Sequence, residues 1–342
     1  MGGKTTKGRE ALRCIWTGFC ILSWGRQKDA LSVIPLIKKN REANMEEAPL
    51  IIINASAGYR NQSDIDELAR QRGFRLVHTQ YAGHGREIAC REASAGTRLL
   101  VACGGDGTIH EVASGILDAK TESTLGIIPF GTGNDLCRSL DIGEEAEEAF
   151  ALLEENLQVQ VDVGTLLTGE DEHIFFNVSS CGFSGEVDKH LEETDRSSWG
   201  TLSYLKSGLS ALADLQPFHV DVYSEGETIS VEALNVVAGN GRYAASGIPV
   251  ASRASLTDRK LDLVIYLGKG ISDQLFNSRL ILQGKQDRSD TILSLRSQKF
   301  AMKFSRPLSI NYDGELHDSE VEKVEYAIHP QRLRVIVGKN HF

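Results

Sequence analysis

Two short glycine-rich segments carry the residue types best suited to chemistry. The first, GGDGT at residues 104–108, follows the apolar residues 99–103, and the second, GTGND at residues 131–135, follows the apolar residues 125–130. Glycine lets a ligand approach the backbone closely, and consecutive N–H groups at the start of a helix attract an anion. Each segment is therefore typical of a turn that binds phosphate, and two of them favour a shared crevice. Neither is followed by Lys-Ser or Lys-Thr, which excludes the Walker A pattern.

The polar side chains of these segments restrict what they could bind. Asp106 would repel a phosphate unless a cation lies between them or the carboxylate turns back to hold the loop. Thr132, Asn134 and Asp135 offer hydroxyl, amide and carboxylate groups that suit a polyphosphate or a hydrated Mg²⁺. A structural interpretation also exists, because residues 108–111 match the T-x-x-E capping box of helix N-termini. The box leaves the glycines unexplained, so both interpretations stay open.

The elements around these segments alternate between strand and helix patterns. Apolar runs at residues 50–55, 74–79 and 98–103 predict strands, and residues 63–73 and 86–94 between them have the period of amphipathic helices. Such alternation is typical of a doubly wound, three-layer α/β fold with a parallel sheet between helices. Ligands of these sheets bind at the carboxyl ends of the strands, which is where both glycine-rich segments lie.

The sequence changes character after Asp162. Short alternating apolar runs separated by turn residues predict a β-sandwich or a barrel-like domain. One helical pattern, at residues 201–215, interrupts them. We interpret it as an amphipathic helix that packs in the core; the alternative is that it lines a pocket for the acyl chain of a lipid. We therefore divide the chain into a disordered or non-native extension (1–44), an α/β domain (45–161) and a β-sandwich domain (162–342). The return of the last strand to the first domain is left open.

Composition and charge narrow the class of protein. The chain has 342 residues, of which 41% are apolar and 25% charged, as in ordinary globular proteins, and its formal net charge is −10. A chain this acidic is poorly suited to bind nucleic acid through phosphates. The six cysteines show no C-x-x-C spacing, which favours a reducing cytoplasm over a disulfide framework. An apolar run at residues 14–25 behind a basic start resembles a signal sequence but is too short for a membrane span.

Cysteines and histidines near the glycine-rich segments have a structural interpretation. Cys103 and Cys137 border the two segments, and we expect them to be buried as small apolar groups. His78, His84 and His110 lie close in sequence to the same segments, but no pair has the spacing of zinc ligands. We therefore predict neither a nucleophilic cysteine nor a zinc site.

The two segments and their neighbours resemble the diacylglycerol kinase catalytic-domain family, and most of all bacterial lipid kinases of the YegS type. The resemblance rests on GGDGTIHEVASGI and LGIIPFGTGNDLCRSL and extends from Met45 to the C-terminus. Further matching segments are INASAG around Asn54, FNVSSCGFSGEV at residues 176–187, VVAGNGRY at 236–243 and YDGEL at 312–316. Their common order along the chain argues against a chance match.

This resemblance implies a fold related to the phosphofructokinase and NAD kinase folds, with ATP in a cleft between a kinase domain and a lipid-acceptor domain. It implies a nucleotide site lined by Asn54, Gly58, Thr79, Gly104, Gly105, Asp106, Gly107, Thr108, Gly131, Thr132 and Asn134. Glu315 is then the catalytic proton acceptor, Asp106 acts mainly through Mg²⁺ that bridges phosphates, and Asp313 assists. Asp313-Gly314 is also a signal for a hairpin turn, which the tripeptide alone would favour.

The resemblance also implies a structural Mg²⁺ in the second domain, bound largely through backbone carbonyls of a D-G-x-L-like turn, with Ser255, Asp258 and Lys260 aligned with the ligands. Arg259 stands where relatives have glycine, so that two cations flank one carboxylate and weaken the case for a metal. An ordinary hairpin with a solvated Asp258 is the alternative. A second departure is Ala-Ala-Ser-Gly at residues 244–247, where relatives often have a glycine triplet, which changes the expected wall of the cleft.

The predicted function is that of an ATP- and Mg²⁺-dependent lipid kinase. By resemblance, it transfers the γ-phosphate to a hydroxyl of diacylglycerol, phosphatidylglycerol or a related lipid, in phospholipid biosynthesis. We expect a cytoplasmic protein that visits the membrane surface without a transmembrane segment, with the lipid as partner, no nucleic acid, and a homodimer left open. Two alternatives remain: a NAD kinase, which shares GGDG and a similar pair of domains, and a catalytically silent nucleotide-binding regulator.

Overall fold

The computed structural model describes residues 48–54, 62–182, 216–267 and 280–341. Some of the sequence predictions concern other residues: the N-terminal extension, the nucleotide contact at Gly58 and the helix at residues 201–215 lie outside the described residues. The architecture below is that of the described ranges.

The helices and strands are as follows. The α-helices are α1 (Gln62–Gln71), α2 (His84–Ser94), α3 (Asp106–Ala119), α4 (Asp135–Ser139) and α5 (Ala146–Glu155). The strands are β1 (Leu50–Ile53), β2 (Arg75–His78), β3 (Leu99–Gly104), β4 (Thr124–Pro129), β5 (Gln158–Val161), β6 (Gly164–Thr168), β7 (Asp171–Phe175), β8 (Val178–Gly182), β9 (Phe218–Ser224), β10 (Glu227–Gly239), β11 (Leu261–Leu267), β12 (Ile292–Ser297), β13 (Lys299–Leu308), β14 (Ile310–Tyr312), β15 (Glu315–Leu316), β16 (Val321–Ile328) and β17 (Leu333–Ile336).

The first sheet is a largely parallel sheet in the strand order β2-β1-β3-β4-β17-β5. β1 pairs in parallel with both β2 and β3, and β3 pairs in parallel with β4. The short, wholly apolar β1 suits a central position, because parallel strands are covered by helices on both faces. The predicted doubly wound α/β fold is confirmed.

Side chains of β1 alternate between two separate cores. Leu50 and Ile52 belong to the cluster that includes Ile88 of α2 and Val112 of α3. Ile51 and Ile53 belong to the opposite cluster, which includes Phe150 of α5. Successive strand residues point to opposite faces, so a continuous apolar run supplies both layers of helices at once.

The second sheet is antiparallel and supports the predicted β-sandwich-like half of the protein. Its main path runs β15-β14-β8-β10-β9-β13-β16-β6-β7, and β11 joins β10 to β12. Phe175, Val220, Phe300 and Tyr326 are among the large side chains of its main core. Buried and more exposed side chains alternate along most of β13, which explains why apolar and polar residues alternate there in the sequence.

The chain crosses between the two sheets in both directions. It leaves the first sheet after β5, passes through Asp162 and Val163, and enters the second sheet at β6. It returns through residues 329–332 to form β17, which pairs in parallel with β4 and antiparallel with β5. The described residues include no helix that is both long and apolar enough to cross a bilayer.

Candidate active site

The two glycine-rich turns lie at the carboxyl ends of adjacent parallel strands, β3 and β4, and contact each other. A Cβ atom on Gly131 would lie 2.5 Å from Gly105 Cα, and one on Gly105 would lie 3.3 Å from Gly131 Cα. The backbone N–H of Phe130 donates to the carbonyl of Gly104 at 2.8 Å. The turns meet backbone to backbone, so a side chain on Gly131 would clash with the other turn and one on Gly105 would be tight, and neither residue places a side chain in the predicted crevice.

Asp106 turns towards the second glycine turn. Its Oδ1 accepts hydrogen bonds from the backbone N–H groups of Asp135 at 3.0 Å and of Leu136 at 3.5 Å. Burial raises the pKa of Asp106, while backbone N–H groups oppose that rise. The carboxylate therefore caps α4. The sequence left two roles open for Asp106, binding a cation or holding the loop, and these hydrogen bonds correspond to the second role.

Asp135 extends this connection into the second half of the protein. Its Oδ2 accepts the N–H of Ser246 at 3.0 Å and its Oδ1 accepts that of Gly247 at 2.6 Å. Arg138 lies beside it, with Nη1 3.3 Å from Asp135 Oδ1 and a second bond to the carbonyl of Gly133. Burial, together with the negative charge of Asp106, raises the pKa of Asp135 to about 6.

The turn that Asp135 binds keeps a conformation that glycine would favour. Ala245 and Ser246 have φ angles of 49° and 65°, in the left-handed region that costs side chains free energy. This is the segment, residues 244–247, in which the family resemblance leads us to expect a glycine triplet and the chain has Ala-Ala-Ser-Gly. The two hydrogen bonds to Asp135 hold this segment against the second glycine turn.

Asn134 presents an unpartnered polar atom to the glycine turns. Its Nδ2 donates to the carbonyl of Gly131 at 2.9 Å, whereas Oδ1 is buried without a hydrogen-bond partner among the described residues. A Cβ atom on Gly131 would lie 3.2 Å from that oxygen. A buried acceptor left unpaired costs about 1–3 kcal/mol, so the atom marks a place where a ligand would be favourable.

Asn54 and Thr79 lie at the same edge of the sheet as the glycine turns. The N–H of Asn54 donates to the carbonyl of Cys103 at 3.1 Å, and the N–H of Thr79 donates to that of Ile53 at 2.8 Å. These bonds continue the parallel ladder one residue past β1 and β2. Of the predicted nucleotide contacts, the structure thus gathers Asn54, Thr79 and the two glycine turns at one edge.

The predicted capping box at residues 108–111 is wrong. The helix α3 begins at Asp106, three residues earlier than an N-cap at Thr108 would allow, and its N-cap is Gly105. Thr108 is buried against Gly104 instead. Glu111 accepts the N–H groups of Gly83 at 2.8 Å and Gly85 at 2.9 Å, so it caps the neighbouring helix α2.

Asp313 and Gly314 form a hairpin turn, the structural interpretation of this pair given by the sequence. The side chain of Asp313 also binds a neighbouring strand. Both residues have positive φ, 48° and 90°, and Tyr312 pairs with Glu315 across the turn. The Asp313 carboxylate accepts the N–H groups of Phe176 at 2.6 Å, Asn177 at 2.9 Å and Val178 at 3.0 Å. Asp313 therefore fixes the start of β8, while Glu315 is exposed.

His110 connects this hairpin to the helix that carries Asp106. Its ring lies 5.4 Å from that of Phe176, and its Nε2 is 3.1 Å from the carbonyl oxygen of Ile174. Burial raises the pKa of Asp313, and the charge of His110 opposes that rise. His110 is one helical turn along α3 from Asp106, so residues 174–176, which the Asp313 carboxylate binds at Phe176, pack against the helix of the first glycine turn.

The remaining predictions near the site concern cysteines and metals. Cys103 and Cys137 are buried as predicted, and burial raises the pKa of the Cys103 thiol to about 12. At the predicted structural metal site, Asp258 is paired with the guanidinium of Arg296 and accepts the N–H of Lys260 at 3.0 Å, and Ser255 Oγ lies 3.4 Å from Thr257 Oγ1. Within the described ranges, His, Cys, Asp and Glu form no cluster of three that could hold a metal.

Sequence reasoning missed how the functional residues are joined. The sequence assigns Asp135 to a group suited to a polyphosphate or a hydrated Mg²⁺ and does not indicate its bonds to residues 246–247. One available signal was its place just after Asn134 at the start of a short helix, where a carboxylate meets unpaired N–H groups. For Glu111, the local pattern suggested a cap for the wrong helix.

Comparisons with known proteins agree with this architecture. Residues 48–166 match the model of the diacylglycerol kinase catalytic domain, and residues 177–337 match that of the YegS C-terminal NAD kinase beta sandwich-like domain. A protein of Xanthomonas axonopodis pv. citri named "Probable lipid kinase YegS-like" is 30% identical over 273 residues, and the match covers 78% of this chain and 88% of that protein. A protein of Enterobacter sp. (strain 638) with the same name is 29% identical over 281 residues, and the match covers 80% of this chain and 90% of that protein.

Solved structures show the same fold. A diacylglycerol kinase of Bacillus anthracis str. Sterne superimposes with a TM-score of 0.66 at 21% identity, covering 86% of this chain and 98% of that one. An NAD kinase of Archaeoglobus fulgidus in complex with ATP superimposes with a TM-score of 0.50 at 10% identity, covering 86% and 95%. Taken with the matches in sequence, these findings identify the chain as a member of the YegS-like lipid kinase family, with a catalytic domain of the diacylglycerol kinase type.

Proposed function

We propose that this protein is an ATP-dependent lipid kinase, a phosphotransferase with an alcohol group as acceptor. The observation that carries the proposal is the backbone contact of Gly105 with Gly131 at the carboxyl edge of the first sheet. Turns that meet without side chains leave N–H groups available to phosphates, and the start of α3 adds partial positive charge. The family models and the curated relatives support the same reaction class and do not favour a NAD kinase or a silent regulator.

The nucleotide would lie along this edge of the sheet. Asn54 and Thr79 follow β1 and β2, and the backbone of residues 104–108 and 131–134 follows β3 and β4. In this arrangement the phosphate chain lies over the two glycine turns and the nucleoside over the ends of β1 and β2. Gly107 supports such close approach, because it is exposed and a Cβ atom there would contact nothing within 4 Å.

The donor set at the glycine turns fits Mg²⁺ as the companion of ATP. Asn134 Oδ1 is a buried oxygen without a partner in the described part of the chain, and the carboxylates of Asp106 and Asp135 raise local negative charge beside it. These are the oxygen ligands that Mg²⁺ prefers. When bound, the ion would neutralise charge on the phosphates during transfer. Asp106 and Asn134 are the residues that would hold it.

Glu315 would accept the proton of the lipid hydroxyl. It is exposed at the hairpin whose Asp313 binds the N–H of Phe176, and the ring of Phe176 contacts His110 on the helix of the first glycine turn. A general base must reach the attacking hydroxyl, and a side chain on a rigid turn can be positioned for this task. Asp313 would support this role indirectly, because its three hydrogen bonds fix the turn rather than touch the substrate.

The acceptor would be a hydroxyl of diacylglycerol, phosphatidylglycerol or a related lipid at the membrane surface. The relatives carry the name of lipid kinases, which supports a lipid over a soluble acceptor. The enzyme would reach its substrate as a peripheral cytoplasmic protein acting in phospholipid biosynthesis, as a monomer or a homodimer and without nucleic acid.

The test is transfer of labelled phosphate from ATP in mixed micelles that contain one lipid at a time. The panel includes diacylglycerol and phosphatidylglycerol, with soluble NAD in a parallel reaction and with Mg²⁺ present or chelated. Labelled lipid that depends on Mg²⁺ is expected from the wild type. The Glu315→Gln variant should lose about 10²-fold or more of its turnover, the range of a general base.

The matched control is Glu322→Gln, an exposed glutamate on β16 of the same sheet. It should turn over lipid at the wild-type rate. Labelled NAD without labelled lipid would replace the proposal with a NAD kinase. ATP binding without transfer to any acceptor would replace it with a nucleotide-binding regulator.

A further inference from the structure

The two segments that cross between the sheets meet at a cluster of charged side chains. Asp162 lies directly after β5, where the chain leaves the first sheet, and Arg332 lies directly before β17, where it returns. The turn at residues 255–260, which contains the predicted structural metal site, packs against both. We call this set of charged groups and the turn the junction cluster.

Asp162 is the buried centre of the junction cluster, with 0% of its surface exposed. Its Oδ1 lies 2.8 Å from Arg332 Nε and 3.6 Å from Arg259 Nη1, and its Oδ2 accepts the backbone N–H of Arg259 at 2.5 Å. The bond to the backbone holds Arg259 at a φ of 62°, in the left-handed region that glycine adopts without strain. One carboxylate thus joins the outgoing segment, the turn and the returning segment.

A second pair of carboxylates shares one guanidinium. Arg296 of β12 pairs with Asp258 Oδ2, and its Nε lies 3.5 Å from Asp262 Oδ2. Neither oxygen has a conventional hydrogen-bond partner among the described residues, and Arg296 supplies an ion-pair contact to each of them. Arg253 and Lys260 also act on Asp262 through their charge.

Three carbonyl oxygens in and beside this turn already accept hydrogen bonds. The carbonyl of Thr257 accepts from Arg332 at 3.0 Å, and that of His329 accepts from Arg259 at 3.2 Å. The carbonyl of Leu256 accepts the N–H of Asp162 at 2.6 Å. Arginine and backbone donors therefore use these three oxygens, which would have to give up their bonds before they could bind a cation.

The charges of the junction cluster disfavour a divalent cation. Among the described residues, the carboxylates are Asp162, Asp258 and Asp262, and the cationic groups that contact or act on them are Arg253, Arg259, Lys260, Arg296 and Arg332. Cationic groups outnumber carboxylates, so Mg²⁺ would enter a site that is already overcompensated. Mg²⁺ and Ca²⁺ require several oxygens free to approach within about 2.0–2.6 Å.

We propose that guanidinium groups replace the divalent cation at this turn, and that the junction cluster holds the crossing segments together without metal. Arginine suits this task because its charge is permanent and its planar fork can bind two carboxylates at once. The inference concerns the second half of the protein and is independent of the proposed kinase activity.

The experiment measures thermal unfolding of the full chain without nucleotide, first in EDTA and then with Mg²⁺ or Mn²⁺. Mn²⁺ binding is followed in parallel by electron paramagnetic resonance. The wild type is compared with Asp258→Asn, which removes the only carboxylate of the predicted ligand set and so weakens the binding of a hard cation even where carbonyl oxygens remain. Any shift of the unfolding midpoint by metal, and any bound Mn²⁺, is expected to be the same in both proteins.

A rise in the wild-type midpoint with Mn²⁺ that Asp258→Asn abolishes would overturn the proposal. So would one equivalent of Mn²⁺ bound to the wild type and absent from the variant. The comparison needs only these two proteins, and metal bound at the glycine turns contributes equally to both.

A second comparison tests the role of the guanidinium itself. Arg296→Ala is expected to lower the unfolding midpoint in EDTA, because two carboxylates lose their counter-ion. The matched control is Arg91→Ala, which removes an arginine of α2 whose side chain is 64% exposed. An unchanged midpoint in Arg296→Ala would contradict the proposal, whereas failure of this variant to fold agrees with it and leaves the first comparison intact.

Discussion

The carboxylate of Asp106 accepts the backbone N–H of Asp135 at 3.0 Å, so the first residue of one glycine-turn helix caps the helix of the other. The carboxylate of Asp135 in turn accepts the N–H groups of Ser246 and Gly247. The two glycine turns and one wall of the second half of the protein are therefore a single connected unit. A substitution of Asp106 should therefore also affect Asp135 and residues 246–247.

Replacement of Asp106 by asparagine should separate catalysis from folding. The amide keeps one acceptor oxygen for α4 but loses the negative charge, so we expect turnover to fall by about 10²-fold or more while stability changes by about 1 kcal/mol or less. Initial rates and chemical unfolding check the two effects. Asp118→Asn, an exposed position on the same helix, is the control. Equal activity of the two variants would exclude Asp106 from the reaction.

Alanine at two glycines should have opposite consequences. A Cβ on Gly131 would lie 2.5 Å from Gly105 Cα, whereas one on Gly107 would meet nothing within 4 Å. We expect Gly131→Ala to lose about 1–3 kcal/mol of stability through overpacking of the backbone contact. Gly107→Ala should keep its stability but bind ATP more weakly, because its methyl group occupies the space of the phosphates.

These two variants are compared by chemical unfolding and by ATP titration. Destabilisation of Gly107→Ala to the same extent as Gly131→Ala would show that the first turn is packed rather than open. Unchanged ATP affinity in Gly107→Ala would remove this residue from the nucleotide site.

The raised pKa of Asp135 predicts a specific pH dependence of stability. Its pKa rises from 3.8 to about 6 on folding, because of burial and the nearby charge of Asp106. The folded protein then binds the proton more tightly than the unfolded chain, so this group stabilises the fold most below pH 4. That contribution is lost as pH rises through about 6, with a slope of at most about 1.4 kcal/mol per pH unit.

The measurement is the difference in unfolding free energy between the wild type and Asp135→Asn across this range of pH. The difference isolates Asp135 from other titrating groups, and it should shift against the wild type between pH 4 and 6. A difference that is constant with pH, or one that shifts in favour of the wild type, would show that the carboxylate is not destabilised by burial.

The two acidic residues of the Asp-Gly-Glu turn should have separate roles. Asp313 accepts three backbone N–H groups, so Asp313→Asn should lose about 1.5–3 kcal/mol of stability and lose activity as a consequence. Glu315 is exposed, so Glu315→Gln should unfold like the wild type while losing turnover. Chemical unfolding and initial rates are measured for both variants. The assignment of these roles fails if Glu315→Gln is less stable than Asp313→Asn.

Local patterns in the sequence were sufficient for the elements and for the glycine turns. The buried run of β1 and the helical period of α3 depend on neighbours a few residues away, and so does the glycine requirement of a strand-to-helix turn. The prediction that both turns share one edge also follows from the rule for parallel sheets, and the contact of Gly105 with Gly131 confirms it.

The connections between elements could not be predicted, because they join residues that are distant in sequence. Asp106 to Asp135 spans 29 residues, and Asp135 to Gly247 spans 112. The error at Glu111 has the same origin: the motif was local, but its carboxylate bonds to Gly83 and Gly85 of another helix. Whether a carboxylate binds a cation, a helix end or an arginine depends on which partner the fold brings near.

The strand β17 has a consequence for biosynthesis. It pairs with β4 on one side and with β5 on the other, and it is formed by residues 333–336 of a chain of 342. While the ribosome synthesises the second sheet, the edge of β4 that later pairs with β17 has unpaired backbone N–H and C=O groups. Unpaired strand edges of this kind promote aggregation. The first sheet is therefore begun before the second sheet and completed after it, and a fragment that stops at residue 161 should be insoluble.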